Sequence, residues 1–398
     1  MLYRTMPKNG DKLSILGFGC MRLAQKDGIV DEEKSRQQVL YAIDQGVNYL
    51  DTAWPYHSGE SERFLGRTLG SGYREKIRLA TKLPSWMIKC REDMDRYLDE
   101  QLERLKTDHI DYYLLHNLAG DQWEHLLKLD VLNFLDHAKS DGRINNTGFS
   151  FHGVLNDFKR VIDGYPWEMC QIQYNYLDET TQAGTEGLRY AASKGIGVVI
   201  MEPLRGGNLS HPKPPPAVHA IWEKAPKKRT PVEWALRWVW NHPEVTVVLS
   251  GMNEMAQVEE NLAIAGQAYP NSLTPEEIRL IESAAQTYKE LMKVGCTGCG
   301  YCQPCPNEVN IPACFEVYNA FHMFGDAVQE FMYAVRMSGI VAGGAPSFAS
   351  QCIECGECLE KCPQHLDIPY FLKKVADEME RPGLEDRVAM AKMALNIE

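Results

Sequence analysis

One regularity constrains this chain more than any other. Over roughly its first 265 residues a short apolar run is followed by an amphipathic helical stretch, eight times at near-even spacing. The runs are SILGFGCMRL, VNYLDTA, IRLATKL, IDYYLLH, NNTGFSF, CQIQYN, GVVIMEPL and VTVVLSG. Between them lie stretches such as EEKSRQQVLYAIDQG, REDMDRYLDEQLERLKTD and MAQVEENLAIAG, apolar at helical period. Strict alternation of this kind implies parallel strands joined by helical crossovers. Eight units fit a closed (β/α)8 TIM barrel, an α/β fold. An open doubly wound sheet would carry a Gly-rich phosphate turn after its first strand, and GFGCMRL is not G-x-G-x-x-G opening a helix.

The rest of the chain has a different character. Of twelve cysteines, only Cys20, Cys90 and Cys170 precede residue 295, and nine lie from Cys296 to Cys362. That shift marks a domain boundary. The stretch LTPEEIRLIESAAQTYKELMK just before it carries Thr274 as N-cap, Pro275 at the first helical position and a Glu three residues after the cap. The expected organisation is a barrel over 1–270, a linking helix over 271–293 and a small, mostly helical domain over 294–398.

Net charge is −12 and the pI about 5.5, which argues against nonspecific binding to nucleic acid or to anionic membrane. No apolar run of about 18 residues would span a bilayer, and MLYRTMPKNGDKLSILGFG has no apolar signal core. A cytoplasmic location is expected, where cysteines suggest metal binding before disulfides. Two runs support this. GCTGCGYCQPCP holds Cys296, Cys299, Cys302 and Cys305, and QCIECGECLEKCP holds Cys352, Cys355, Cys358 and Cys362. Thiolates suit zinc as well as iron–sulfur clusters. Three closely spaced cysteines with a fourth before a proline are, however, the signature of dicluster ferredoxins, whose fourth cysteine serves the other cluster. Transferred here, Cys296, Cys299, Cys302 and Cys362 hold one [4Fe-4S] cluster, and Cys352, Cys355, Cys358 and Cys305 the other. The first run is one residue short before its last cysteine, so the second is the firmer assignment. Cys20, Cys90, Cys170 and Cys314 read as core.

Barrel chemistry sits where strands end at their carboxyl side. Asp51 ends the second strand with Tyr56 in the loop beyond, Lys82 ends the third and His116 the fourth. This set suits hydride delivery to a carbonyl, which leaves an alkoxide in need of a proton. Tyrosine is a weak acid, with a free pKa of about 10. A nearby ammonium favours its phenolate, a buried carboxylate keeps that ammonium charged, and a histidine can donate a hydrogen bond to the substrate oxygen.

With these residues in view, the chain resembles the aldo-keto reductase family. LDTAWPYHSGESERFLGRTL, ATKLP, YYLLHN, GFSFHG, QIQYN, MEPLRGG and GMNEMAQVEENLA occur in the family's order and cover residues 1 to about 268. The resemblance implies that Asp51, Tyr56, Lys82 and His116 form the catalytic tetrad and that NAD(P)H binds at the barrel mouth. It further implies Ser150 and Gln171 as carboxamide ligands, and Leu204, Arg205, Gly206 and Gly207 as a loop on the cofactor backbone. Asn261 would contact the adenine. Three positions depart from the family pattern. Met201 stands where an aromatic ring often stacks on the nicotinamide, and Phe151 follows Ser150 in place of Asn. Gly251 and Gln257 replace the Lys and Arg that bind a 2′-phosphate. The tail resembles the α-helical ferredoxins fused to redox enzymes, and the whole resembles an aldo-keto reductase subgroup with such a tail.

The expected function is hydride transfer between NAD(P)H and a carbonyl or alcohol, beside an electron-transferring [4Fe-4S] domain with room for a redox protein partner. The alternative is an electron-transfer, sensing or partner-binding protein on an idle barrel. Trp54, His57, Trp86 and Phe151, with Tyr176 behind them, are the expected substrate pocket. A flavin commonly joins hydride to one-electron chemistry, but no FMN motif is visible. The tetrad suffices without one, which favours clusters that are structural or exchange electrons elsewhere. The segment HPKPPPAVHAIWEKAPKKR reads as a surface loop.

Overall fold

The computed structural model describes residues 1–70, 72–324, 327–340, 344–381 and 383–395. They form two compact units: Met1–Leu204 with Arg229–Ile278, and Arg205–Lys228 with Arg279–Glu398.

The first unit contains a closed eight-stranded parallel barrel. Its strands are β1 (Leu16–Gly19), β2 (Tyr49–Asp51), β3 (Arg78–Leu83), β4 (Ile110–Leu118), β5 (Ile144–Phe151), β6 (Met169–Gln173), β7 (Gly197–Met201) and β8 (Val245–Ser250). They pair in sequence order, and β8 closes on β1 through Val248 beside Leu16 and Ser250 beside Phe18. Helices follow each strand in the barrel manner, including Glu32–Asp44, Glu60–Thr68, Arg91–Leu105, Leu155–Asp163 and Met255–Ala265. The interior is a packed core, not a pore: Tyr49, Ala80, Tyr112, Leu114, Met169, Val199, Val247 and Leu249 fill it. Met6 and Leu13 join that core from an antiparallel hairpin, Tyr3–Thr5 with Lys12–Ser14. The alternation argument did not anticipate this hairpin, because it lies outside the repeating unit.

Rim geometry departs from plain strand ends in one useful place. The β4–β5 register shifts between Leu115 and Leu118, and Asn117 takes a left-handed φ of 56°. Irregularities of this kind re-aim side chains, and His116 sits inside this one.

In the second unit, helices Ile311–Phe324, Ala327–Met337, Glu357–Lys361, Ile368–Met379 and Leu384–Leu395 succeed the helix Pro275–Leu291, within which the two units meet in sequence. Val294, Val309, Ile311, Phe315, Tyr333, Leu372, Val375 and Met379 form its core, with Cys302 and Cys362 among them. The segment expected to be a loop holds the helix Pro216–Trp222, with proline at its first turn. Val218 and Trp222, one turn apart, bury the same face. Cys20, Cys170 and Cys314 are core as expected, but Cys90 is exposed. It starts the helix Arg91–Leu105, where its backbone N–H donates to Asp93 Oδ2 at 3.2 Å, and that helix end faces solvent.

Candidate active site and cluster sites

Strand ends bring the expected tetrad together. Lys82, fully buried, donates from Nζ to Asp51 Oδ1 at 2.6 Å and to Thr52 O at 2.8 Å. The same Nζ lies 5.1 Å from the centre of the Tyr56 ring. Tyr56 opens the short turn Tyr56–Gly59 beyond β2, in which His57 and Ser58 take left-handed φ values of 52° and 55°. Its ring meets His116 edge-on, with centroids 6.0 Å apart. Burial first, then the Lys82 charge and His152, hold the His116 imidazolium well below its usual range. His116 is therefore neutral at working pH. It can donate a hydrogen bond but has no extra proton to give.

A second buried layer braces this set. Glu62 of helix Glu60–Thr68 accepts from Thr81 Oγ1 at 2.7 Å, Gln101 Nε2 at 2.6 Å and Arg104 NH1 at 3.2 Å. Burial still pushes its carboxyl upward, despite those donors. Gln101 also donates to Lys82 O at 3.0 Å, so the layer grips the catalytic strand. The Arg104 guanidinium carbon stands 3.3 Å from the Trp54 ring centre, and Tyr97 meets Trp54 edge-on with centroids 4.7 Å apart. This layer is not legible in the sequence, where Glu62, Gln101 and Arg104 read as ordinary polar positions of amphipathic helices.

The other expected site residues fall into distinct groups. Ser150 Oγ accepts from Asn117 N at 2.8 Å, which leaves its hydroxyl proton to donate. Asn261 donates to Ser250 Oγ at 2.9 Å and is buried. Trp86 is exposed and packs on His116 with centroids 5.1 Å apart, which suits a pocket wall. His57 serves as a loop anchor, since its Nε2 accepts from Leu23 N at 3.1 Å and its Nδ1 faces Gln25 Nε2 at 2.9 Å. Phe151 is not a pocket former. It is fully buried against Phe149 and Phe158, because residues alternate across β5 and Ser150 takes the inward position. Tyr176 is buried against Trp238. Gln257 spends its side-chain oxygen capping a helix, accepting from Asn253 N at 2.9 Å and Glu254 N at 3.3 Å. Arg22 was not singled out from the sequence, yet its side chain lies against Gly251, where a Cβ would come within 3.0 Å of it.

Of the loop expected on the cofactor backbone, Leu204 belongs to the first unit and the rest to the second. Arg205 donates to Gly295 O at 3.4 Å, and Asn208 to Cys296 O at 3.4 Å. Thr297 O presses so closely on Gly206, whose φ is 66°, that no side chain fits there. Gly207 is also left-handed, with φ 103°.

The cysteines gather across the two runs. Cys305, Cys352, Cys355 and Cys358 line one cleft with Cys302, Pro304, Pro306 and Pro369, its empty space about 370 Å³ including open solvent. Burial raises the Cys358 thiol, and its thiol neighbours are Cys352, Cys355 and Cys305. Burial pushes the Cys302 thiol up to about 12, with Cys299, Cys296 and Cys362 as its thiol neighbours. A thiol raised so far is neutral at pH 7 unless bound metal draws off its proton. Both groupings match the crossed quartets. Among the described residues, no three such side chains converge at single-ion spacing, so it is the shared cleft and mutual proximity that fit a cluster.

The two runs also repeat each other's backbone. Gly298 and Gly300 take φ values of 65° and 79°, and Glu354 and Gly356, at the same offsets from Cys352, take 57° and 80°. Gly298 N donates to Cys296 Sγ at 3.3 Å and Glu354 N to Cys352 Sγ at 3.4 Å, bonds of the kind that tune a cluster. Past the fourth cysteine, Asn310 Oδ1 accepts from Ala313 N and Asp367 Oδ1 from Tyr370 N, each starting a helix. The signal was present in the sequence as C-P-x-x-x-[N/D]-I-P, at Cys305–Pro312 and again at Cys362–Pro369.

Comparison with known proteins bears directly on this geometry. Residues 15–286 match the model of the aldo/keto reductase family. The chain belongs to the aldo-keto reductase family. Residues 295–366 of this aldo-keto reductase match a 4Fe-4S dicluster domain, so the chain joins an NAD(P)-dependent oxidoreductase barrel to an iron–sulfur domain. L-galactose dehydrogenase of Arabidopsis thaliana is 27% identical over 308 residues, spanning 72% of this chain and 95% of that protein. An NADP(+) aldo-keto reductase of Schizosaccharomyces pombe is 27% identical over 211 residues, or 50% of this chain and 61% of that one. Among solved structures, the holo form of an aldo-keto reductase from Bacillus halodurans superposes with a TM-score of 0.61 at 29% identity. That match covers 71% of this aldo-keto reductase and 96% of the other chain. No helix among the described residues is long and apolar enough to cross a membrane.

Proposed function

We propose that the barrel reduces a small-molecule aldehyde or ketone, or oxidises the corresponding alcohol, with Tyr56 as the proton donor. One observation carries this reading: the buried Lys82 ammonium, fixed by Asp51 at 2.6 Å, stands 5.1 Å from the Tyr56 ring. A bound NAD(P)H would supply the hydride, with Ser150 and Gln171 holding its carboxamide and Asn261 its adenine. Lys82 favours the phenolate of Tyr56, so the phenol gives up its proton as the substrate oxygen gains charge. Neutral His116 donates a hydrogen bond to that same oxygen without competing for the proton. Trp54, clamped by Arg104 and Tyr97, and Trp86 on His116 form an aromatic wall that suits a substrate with an apolar face.

The quartets Cys296, Cys299, Cys302, Cys362 and Cys352, Cys355, Cys358, Cys305 hold two [4Fe-4S] clusters, in a cytoplasmic protein that exchanges electrons with a redox partner. The repeated backbone of the two runs supports equal sites. Protein purified anaerobically should contain about eight irons and eight sulfides per chain. Four of each would limit the chain to one cluster, and zinc in their place would overturn the assignment.

Cofactor choice follows from charge. A 2′-phosphate usually needs Arg or Lys partners. Gly251 offers none and Gln257 is spent on a helix cap, so NADH should serve at least as well as NADPH. Titration of both cofactors checks this, and a hundredfold preference for NADPH in the parent protein would refute the argument.

A further inference from the structure

Asp51 is held by two donors from different strands. Its Oδ1 accepts from Lys82 Nζ of β3 at 2.6 Å, and its Oδ2 from Gln171 Nε2 of β6 at 2.9 Å. All three side chains are buried. An ionised carboxylate only accepts hydrogen bonds, so the amide end facing it has to be the NH2. Gln171 cannot turn over without setting its carbonyl oxygen against a buried anion, a contact that burial makes unfavourable. The orientation of Gln171 is thus dictated by Asp51, and its Oε1 is directed away from that carboxylate.

We propose that Gln171 is a positioning residue of the proton-delivery system: its amide fixes Asp51, and through Asp51 the ammonium of Lys82 beside Tyr56. The same bond presents Gln171 Oε1 to accept from the carboxamide of the cofactor, a half of the proposal that rests on the NAD(P)H reading above. Cofactor seating and the state of the acid would then share one side chain.

The titratable groups around this centre come from four strands and their loops. Lys82 lies on β3 and Tyr56 beyond β2. Tyr49 on β2 and Cys20 after β1 both feel Asp51, and burial raises both, so they stay neutral. His116 on β4 feels Lys82 and is held neutral. Lys82 is therefore the cation that balances Asp51, and a second carboxyl placed at position 171 would have no cation of its own there.

Gln171→Glu separates this role from simple carboxamide binding. Two buried carboxyls in contact retain one proton between them. While that proton is present, the introduced carboxyl donates its O–H to Asp51 as the amide did. Once it is lost, two anions face each other. The kcat/KM of Gln171→Glu should approach that of the parent at low pH and fall about tenfold per pH unit above the pKa of the shared proton. The stability sign agrees. The introduced carboxyl has a folded pKa raised above its unfolded value of about 4.3. Its contribution is complete below that value and disappears as pH rises through the folded pKa. The Tm of Gln171→Glu, measured against the parent, should therefore fall with rising pH whether or not cofactor is present. Gln171→Met, which removes the donor without adding charge, should lower kcat/KM at every pH and leave the relative Tm flat. If Gln171 serves only the carboxamide, Gln171→Glu keeps a good acceptor and would be as active at pH 8 as at pH 6, with a flat relative Tm. That result overturns the proposal. A parent protein that turns over no carbonyl with NAD(P)H would refute the reduction reading instead, and the Tm profile would still decide whether position 171 shares a proton with Asp51.

Discussion

Tyr56→Phe should lower kcat for carbonyl reduction about 10²–10⁴-fold, the usual worth of one general acid, or about 3–5 kcal/mol of barrier. The substitution deletes a single oxygen. The ring keeps its edge contact with His116 and its place below the Lys82 ammonium, so neither the barrel core nor the turn Tyr56–Gly59 loses packing. In the variant Lys82 keeps Asp51 and Thr52 O as its acceptors. Cofactor affinity and iron content should accordingly match the parent, while kcat collapses. His116 cannot take over, since it is neutral and buried beside an ammonium. A variant within threefold of the parent in kcat would remove Tyr56 from the reaction and shift the role of acid to water or substrate. The idle-barrel alternative is separated by the parent itself, which would then show no turnover for the substitution to abolish.

The brace behind the tetrad shows why the chemistry needs more than four residues. Gln101 touches the Lys82 backbone and Glu62, and Glu62 reaches Arg104, whose guanidinium covers Trp54. Trp54, the proposed pocket wall, and the strand that carries Lys82, the lysine of the proposed proton-delivery set, thus lean on one buried carboxylate. Glu62 keeps that place at the expense of desolvation, offset by three donors, an arrangement that fixes geometry more than it adds stability.

How much of this was legible in the sequence depended on period and spacing. The barrel was readable because eight repeats of one pattern leave few alternatives, and the meeting of Asp51, Lys82 and His116 because each ends an apolar run, with Tyr56 in the loop after the second. That thiols of the two runs would neighbour one another was an expectation drawn from the spacing of thiolates round a cluster, and Cys302 and Cys358 have such neighbours. What failed did so for local reasons. Phe151 looked like a rim aromatic, but the two-residue period of β5 gives the inward place to Ser150. His57 looked like a pocket former, but a left-handed backbone aims it at Leu23 N. Cys90 was read as core although it occupies a solvent-facing helix start. The Gln171–Asp51 bond joins residues 120 apart in sequence, and no local pattern encodes it.

NADH added alone to flavin-free protein should leave the visible absorbance of the clusters unchanged, whereas dithionite should bleach it fully. The reason is electron count. A nicotinamide gives up two electrons together as a hydride, and a [4Fe-4S] cluster takes one at a time, so direct exchange needs a mediator such as a flavin. On the proposed mechanism the first unit carries hydride chemistry without one, with Tyr56 as acid, Lys82 paired to Asp51 beside it and His116 as a neutral donor. In the second unit, cysteines of both runs pack on one helical core, and Cys355 of the second run is exposed. That placement suits one-electron traffic with an external protein. Adding catalytic FMN together with NADH supplies the mediator and should restore bleaching, which shows that the clusters are reducible at that potential and that only the route was missing. Rapid, stoichiometric bleaching by NADH in protein shown to be free of flavin would reverse this conclusion. The clusters would then belong to the catalytic cycle of the barrel, and carbonyl turnover should stop when they are removed.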